Sequence, residues 1–214
     1  MDIIKKLAQE LAIKEEQAKA AVQLIDEGNT IPFIARYRKE MTGALNDETL
    51  RNLHERLLYL RNLEEKKEQV INAITDQGKM TEDLKKKILS AETLVAVDDL
   101  YRPYRPKKQT RATKAKEKGL EPLANILLLQ KTTKSMEEEA AAFVNEEKGV
   151  VNAKEAIAGA KDIIAEMIAD MADYRKSIRN CTMKQGSLVV KAKDEKAESV
   201  YEMYYDFREP LSKV

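Results

Sequence analysis

The chain has 214 residues, of which 35% are charged and 43% are hydrophobic, and its formal net charge is only +1. A nearly neutral chain does not coat nucleic acid or a membrane over its whole surface, and its one cysteine cannot form an internal disulfide. No stretch approaches the run of about twenty apolar residues that a membrane span requires. We therefore expect a soluble cytoplasmic protein, and the abundance of Ala, Leu, Glu and Lys favours helices.

The first part of the chain predicts short amphipathic helices. Apolar residues recur at spacings of three and four from Asp2 to Gly28, which predicts one or two helices there. Thr30 can cap the next helix, Ile31–Glu40, and Pro32 is tolerated in its first turn. That helix alternates apolar and cationic residues.

The longest helical pattern begins at Asn46 or Asp47 and runs to about Gly78. Its leucines keep a strict three-four alternation, which predicts one buried face: Leu50, Leu53, Leu57 and Leu60. The alternation slips at the charged run Glu64–Glu68 and resumes after it. A helix of this length needs partners, because a single amphipathic helix gains little stability alone.

A strongly basic stretch runs from Arg102 to Lys118, where eight Lys or Arg residues stand against one acid, Glu117. Pro103 and Pro106 fix the backbone and remove amide donors, so we expect its first part to be a rigid, extended loop. A stiff cationic loop with tyrosines is a plausible contact surface for phosphates and bases.

Polar residues at helix starts predict further helices on both sides of the basic stretch. Thr81 can cap a short helix that continues through Ala91. Ser135 and Glu138 have the spacing of a capping box and open another helix. A short helix is also expected over residues 121–130.

A second long helical pattern extends from Asn152 to Gly186. Its apolar residues alternate three-four throughout: Ile157, Ala160, Ile164, Met167, Met171, Tyr174 and Ile178. Two long helices with apolar faces suggest antiparallel pairing inside the molecule, although a dimeric coiled coil has the same signature. Leu188–Lys193 is a strand-like run, and Ala197–Asp206 can form a final helix.

The expected architecture is mostly α, a multi-helix array with two long helices and at most one small β element near residues 188–193. We expect three segments along the chain. Residues 1–130 form a helical region with the basic loop, and residues 131–193 form a second segment with the second long helix. Residues 194–214 form a terminal helix and tail.

Several runs of residues resemble the bacterial Tex family of transcription accessory proteins. The N-terminal signature of that family is matched by Thr30–Glu40, with Thr42 and Gly43 after it. The other matching runs extend over essentially the whole chain and comprise residues 50–51, 55–57, 59–61, 99–101, 103–104, 106–107, 110–112, 117–124, 159–160 and 162–166.

The resemblance implies an N-terminal helical region with a helix-turn-helix-like element, which corresponds here to residues 1–130. In the family, an RNase-H-like fold, helix-hairpin-helix modules and an OB-fold RNA-binding domain follow. On this basis the chain is interpreted as an N-terminal fragment whose residues 194–214 lead toward an absent RNase-H-like domain. The implied partner is RNA or DNA, bound mainly through domains absent from the fragment, and no membrane is implied.

Two interpretations of the basic loop stay open. In the first, cations contact phosphates and tyrosines stack on bases; the candidates are Arg102, Arg105, Lys107, Lys108, Arg111, Lys114, Tyr101 and Tyr104. In the second, the loop is a structural strap whose arginines pair with acids on neighbouring helices. Both can hold if the tyrosines face inward and the lysines outward.

A secondary set of candidates presents cations in the helix-turn-helix-like arrangement, as a DNA recognition helix does: Arg36, Arg38 and Lys39. The same short helix also carries residues with the character of core anchors: Phe33, Ile34 and Tyr37. Cationic side chains commonly cover apolar surface with their stems, so a purely structural role is the competing interpretation.

No residue pattern predicts an active site. Glu166, Asp170 and Asp173 share one helical face, which is interpreted as solvated or as facing a basic segment. His54 and Cys181 stand without the partners that would mark a metal site or a nucleophile, and Cys181 is expected to be buried. We therefore expect a protein that is not an enzyme and that uses no metal and no cofactor.

These features and the resemblance support two hypotheses on function. In the first, the chain is a non-catalytic helical N-terminal region that scaffolds RNA or DNA binding, with the basic loop as a secondary contact. In the second, it is a protein-interaction scaffold that docks on transcription or translation machinery without direct nucleic-acid contact.

Overall fold

The computed structural model describes residues 2–106, 108–194 and 196–214. The chain divides into two compact units, Met1–Tyr101 and Arg102–Val214. The described residues are mostly helical and contain one small two-stranded antiparallel sheet, which confirms the predicted fold class. Within these ranges no helix combines the length and apolarity that crossing a membrane requires.

The first unit is an assembly of short helices around one long helix. Its helices are α1 (Ile3–Glu10), α2 (Glu15–Asp26), α3 (Ile31–Tyr37), α4 (Asp47–Asp76), α5 (Glu82–Ser90) and α6 (Leu94–Tyr101). The long helix α4 packs against each of the other helices of this unit. The predicted cap residues begin α4 and α5: the Asn46 and Thr81 side chains accept hydrogen bonds from the backbone N–H groups of Thr49 and Leu84.

The leucine face that was predicted to be buried on α4 is buried, and it forms an apolar seam along the helix. Its buried residues are Leu50, Leu53, Leu57, Leu60, Leu63, Lys67, Val70 and Ile74. Burying one leucine side chain contributes about 1.5–3 kcal/mol relative to leaving it in water. The short helices of the same unit pack against α4, so its seam is explained without a second long helix.

Lys67 occupies the seam position at which the apolar pattern slips. Its side chain is only 3% exposed. The ammonium group donates hydrogen bonds to a Glu64 carboxylate oxygen at 2.8 Å and to the Leu89 backbone carbonyl at 2.9 Å. A buried charge is tolerated when it is paired and hydrogen-bonded, so the three-four periodicity continues through the charged run.

Two bidentate arginine–carboxylate pairs tie the ends of α1 and α2 to α4. The Arg56 guanidinium donates to both oxygens of Glu10 at 2.6 and 2.8 Å. Arg61 donates to both oxygens of Asp26, each at 2.8 Å. The hydrogen bonds from Arg56 and Arg61 hold the pKa of Glu10 and of Asp26 below their ordinary values, because they favour the ionised carboxylates.

The second unit is built around α10. Its elements are α7 (Arg111–Glu117), α8 (Glu121–Leu129), α9 (Met136–Ala141), α10 (Ala153–Asp170), α11 (Ala172–Gln185), β1 (Ser187–Lys191) and β2 (Asp206–Pro210). Helices α7, α8 and α9 all pack against α10. Ser135 and Glu138 form the predicted capping box at the start of α9. The core residues are Ala112, Ala115, Leu120, Leu123, Ala124, Ala140, Val150, Ala156, Ile157, Ala160 and Ile163.

The second long helix is interrupted, so the prediction of one helix from Asn152 to Gly186 is wrong in this respect. Met171 has an extended backbone, with φ −73° and ψ 116°, and separates α10 from α11. Neither Gly nor Pro marks this position in the sequence. The apolar residues that continue the three-four alternation beyond the break are largely exposed: Met171, Tyr174 and Ile178.

The predicted strand forms, and its partner is the segment that was expected to be helical. β1 pairs with β2 in antiparallel register, with Val189 opposite Arg208. The prediction of a final helix over Ala197–Asp206 is wrong, because Glu202–Tyr204 form a single 3-10 turn and Asp206 begins β2. A lone strand leaves its backbone groups unpaired, and pairing with β2 satisfies them.

Candidate nucleic-acid interface

The basic segment, Arg102–Lys118, begins with a turn and ends in a helix. Arg102–Tyr104 form a 3-10 helix, and the Arg105 amide donates to the Arg102 carbonyl at 3.4 Å. The prediction of an extended start is therefore wrong. The φ angle that a proline ring imposes suits a 3-10 turn as well as an extended chain, so the prolines stiffen the segment without extending it.

Three acids on α10 contact residues of the basic segment. Asp162, Glu166 and Asp170 are spaced by four residues and therefore lie on one face of the helix. Arg102 Nε lies 2.9 Å from Asp170 Oδ1, and the Asp170 side chain is only 12% exposed. Arg111 Nε lies 3.7 Å from Asp162 Oδ1, a longer and weaker contact.

Thr110 fixes the junction between the turn and α7. Its hydroxyl donates to Glu166 Oε2 at 2.9 Å. The same hydroxyl accepts from the Thr113 backbone N–H at 3.0 Å, which caps α7. One side chain therefore sets the start of α7 and its position against α10.

The helical part of the basic segment, α7, packs closely against α10. A Cβ atom at Gly159 would lie 2.4 Å from Leu120 Cδ1 and 3.2 Å from Ala115 Cβ. Both distances are shorter than ordinary van der Waals contacts, so a larger residue at position 159 would force Leu120 and Ala115 to move. On the same two helices, Arg111 of α7 lies next to Asp162 of α10.

A cleft of about 590 Å³ lies between the basic segment and α10. Cations line one side of it: Arg102, Arg105, Lys108 and Arg111. Acids line the other side: Asp162, Glu166 and Asp170. In the ranges that the structure describes, no group of three or more His, Cys, Asp or Glu side chains could hold a metal ion.

The structure brings most of the primary candidates together in the second unit. The candidates with exposed side chains are Arg102, Arg105, Lys108, Arg111 and Lys114. Tyr104 is half-buried, and Lys107 lies outside the described residues. Tyr101, also half-buried, is the last residue of α6 and belongs to the first unit. Which of these residues bind nucleic acid stays a prediction.

The secondary candidates lie at the end of α3 in the first unit. Arg36, Arg38 and Lys39 are all exposed. The expectation of core anchors on the same helix holds for Ile34, which is fully buried, but is wrong for Tyr37, whose exposure is 61%. A tyrosine is amphipathic, so its presence in an apolar pattern does not by itself predict burial.

Residues missed by the sequence analysis complete this picture. The acidic face of α10 contains Asp162 and not Asp173, because the break at Met171 puts Asp173 on α11. The sequence could have indicated Asp162, since it stands four residues before Glu166, as Glu166 stands four before Asp170. Thr110 was not singled out, although its position before a cationic helix is that of a cap. Cys181 is exposed on α11, so the prediction that it is buried is wrong.

Comparisons with known protein families match both parts of the chain. Residues 1–75 match the family described as Tex-like protein N-terminal domain. Residues 131–214 match the family described as Tex central region-like. The two matches together cover most of the chain.

Similar relatives occur in bacteria and in animals. The transcriptional accessory protein Tex of Neisseria gonorrhoeae is 42% identical over 214 residues, which are 99% of this chain and 28% of that protein. The uncharacterized protein YdcI of Bacillus subtilis is 44% identical over 211 residues, 97% of this chain and 29% of that protein. The human S1 RNA-binding domain-containing protein 1 is 32% identical over 186 residues, 86% of this chain and 18% of that protein. The chain thus spans less than a third of the length of these relatives.

Proposed function

The chain belongs to the Tex family of transcription accessory proteins, and on that basis we propose that it is a non-catalytic helical region that scaffolds nucleic-acid binding. The basic segment is its own contact with RNA or DNA, and α10 holds that segment in place. Further contacts come from other parts of the full-length protein, since one relative is named for an S1 RNA-binding domain.

The observation that carries this proposal is that some residues of the basic segment are bonded to α10 while other cations of the segment are exposed. Arg102 is held by Asp170, and Thr110 is held by Glu166, so these residues anchor the segment. Lys108 and Lys114 are exposed and form no ion pair with any described residue. The Arg111 side chain is 87% exposed, and its contact with Asp162 is long.

Such an arrangement suits phosphate binding. An anchored backbone loses little entropy when it binds, and exposed cations can release the counterions of nucleic acid. In this proposal the strap and the binding surface use different residues of one segment: Arg102 and Thr110 are bonded to acids of α10, whereas the side chains of Lys108, Arg111 and Lys114 are exposed.

Charge reversal of the exposed cations tests the proposal. We expect the variant Lys108→Glu, Arg111→Glu, Lys114→Glu to bind duplex DNA and RNA more weakly than the wild-type chain. The log–log plot of affinity against salt should also become less steep, by roughly 0.9 for each lost phosphate contact on duplex DNA. Fluorescence anisotropy titrations of a labelled 20-base-pair duplex at several salt concentrations measure both quantities.

A matched control separates the surface from the net charge. Lys131, Lys134 and Lys154 belong to the same unit, are exposed, and form no ion pair with described residues. Their reversal to Glu changes the net charge equally and should leave most of the salt dependence intact. Equal losses in the two triple variants would reject the basic segment as a binding surface.

A specific observation favours a second candidate function. α11 and the residue before it expose an apolar stripe, in which Met171, Tyr174 and Ile178 are 46%, 48% and 66% exposed. Exposed apolar patches commonly mark protein-interaction sites. A protein-interaction scaffold on transcription or translation machinery would use this stripe. The complete absence of salt-dependent affinity for RNA and DNA in the wild-type chain would favour it over nucleic-acid binding.

A further inference from the structure

The end of α3 concentrates cations that the first unit does not neutralise. Arg36, Arg38 and Lys39 are exposed, and none of them forms an ion pair within the described part of the chain. By contrast, Arg56 and Arg61 of the same unit are each engaged by a carboxylate through two hydrogen bonds. The cations of α3 are therefore available to an external anion.

An aromatic ring stands among these cations. Tyr37 is 61% exposed, and its ring packs against Phe33 with a centroid distance of 5.3 Å and an interplanar angle of 46°. The Arg38 guanidinium lies 5.2 Å from the centroid of the Phe33 ring, a cation–π contact. The Phe33 ring thus contacts both Tyr37 and Arg38, while most of the Tyr37 surface remains in solvent.

The loop that follows α3 is held by hydrogen bonds from the side chains of Thr42 and Gln17. Thr42 is fully buried, and its hydroxyl donates to the Arg38 carbonyl at 3.2 Å. The Gln17 side-chain amide donates to the carbonyls of Thr42 and Gly43 at 3.2 and 2.9 Å. Gly43 has φ +59°, and a Cβ atom there would lie 2.7 Å from Gln17 Nε2. These contacts restrain the loop next to α2.

From these three observations we infer that the end of α3 and its loop bind single-stranded nucleic acid. We name this surface the α3 platform, and its members are Arg36, Tyr37, Arg38, Lys39 and Met41. The cations contact phosphates, and the Tyr37 ring stacks on an unpaired base. The Met41 side chain, 52% exposed, adds apolar contact beside the stacked base. This site lies in the first unit and does not involve the basic segment.

The exposed ring favours single strands over the other ligands that a cationic surface attracts. In a duplex the faces of the bases are stacked on one another, so Tyr37 could contact only backbone or groove edges. In a single strand every base offers a free face, and stacking on an aromatic side chain is a major source of affinity. An acidic peptide would use the cations but would gain little from the tyrosine.

Substitution of Tyr37 tests the inference on the whole chain. We expect Tyr37→Ala to reduce the affinity for a 12-nucleotide poly(U) or poly(dT) strand by at least about fivefold, the lower end of the effect of losing one stacked base. Affinity for a blunt duplex should change much less. Tyr37→Phe keeps the ring and should restore the single-strand affinity. Fluorescence anisotropy at fixed salt gives all of these values.

Two further variants complete the experiment. Arg36→Ser, Arg38→Ser, Lys39→Ser should weaken single-strand binding and reduce its salt dependence. The control Lys19→Ser, Lys85→Ser, Lys86→Ser removes three exposed cations of the same unit and should change the affinity less. Thermal melts followed by circular dichroism confirm that each variant is folded.

Three outcomes would overturn the inference. Wild-type single-strand affinity in Tyr37→Ala would exclude the stacked base. If the lysine control lost as much single-strand affinity as the Arg36, Arg38 and Lys39 variant, the loss would follow from net charge and not from this surface. If the Arg36→Ser, Arg38→Ser, Lys39→Ser variant lost affinity for a polyglutamate peptide but kept its single-strand affinity, the surface would be a protein-docking site instead. None of these outcomes depends on the behaviour of Lys108, Arg111 and Lys114, so the two proposals can fail separately.

Discussion

At the scale of single residues, two charged side chains are held where the surrounding structure leaves little water. Lys67 lies in the seam of α4 with its ammonium bonded to Glu64 and Leu89, and Asp170 ends α10 bonded to Arg102. In both cases the partner is far more exposed than the buried group. The hydrogen bond from Lys67 to the Leu89 carbonyl ties α5 to α4, and the Arg102–Asp170 pair ties the start of the basic segment to α10.

Lys67 gives a prediction about stability. Lys67→Ala removes two hydrogen bonds and leaves the Leu89 carbonyl without its ammonium donor, so we expect the free energy of unfolding to fall by about 1–3 kcal/mol. The neighbouring Lys66 is more exposed, and its contact with Asp98 is 3.6 Å long. Lys66→Ala should therefore cost less than about 1 kcal/mol. Urea denaturation followed by circular dichroism compares the two, and equal costs would contradict the role assigned to the buried amine.

At the scale of elements, the sequence was a good guide wherever local chemistry decides the structure. The leucine spacing of α4, the caps at Asn46 and Thr81, and the capping box of α9 all follow from side chains close in sequence. The errors arose where distant contacts decide. No Gly or Pro marks the helix break at Met171. Residues 206–210 form a strand and not a helix because they pair with β1, a contact between segments that are distant in sequence.

The candidate site shows the same division. Its cations could be read from the sequence because eight of them stand in seventeen positions. The acids Glu166 and Asp170 could also be read from the sequence as one helical face, but the pairing of each acid with its partner could not, because it depends on the tertiary packing of α7 on α10. Likewise, the periodicity of α3 gave no means of knowing that Tyr37 stays in solvent while Ile34 is buried.

The contact between α7 and α10 gives a prediction at the same scale. In Gly159→Ala the added methyl group would overlap Leu120, and we expect a loss of about 1–3 kcal/mol in the free energy of unfolding. Because α7 carries Arg111 and Lys114, displacement of this helix should also weaken duplex binding. Ala158→Ser changes an exposed neighbour and should stay within about 0.5 kcal/mol of wild type. A Gly159→Ala variant as stable as wild type would show that the helices have room to separate.

At the scale of the whole molecule, a net charge of +1 conceals two local concentrations of cations. One is the basic segment of the second unit, and the other is the α3 platform of the first unit. Elsewhere in the first unit, Arg56 and Arg61 are neutralised by the ion pairs that join α4 to α1 and α2. The related proteins of Bacillus subtilis and Neisseria gonorrhoeae are more than three times as long as this chain.

The most direct test of two separate surfaces is the salt dependence of single-strand affinity in four proteins. These are the wild-type chain, the charge-reversed basic segment, the Arg36, Arg38 and Lys39 variant, and their combination. We predict that each change alone weakens binding and lowers the log–log slope, and that their free-energy losses add within about 0.5 kcal/mol in the combination. A wild-type affinity that does not vary with salt would contradict nucleic-acid binding by this chain, and a combined variant that binds as tightly as either parent would contradict two independent surfaces.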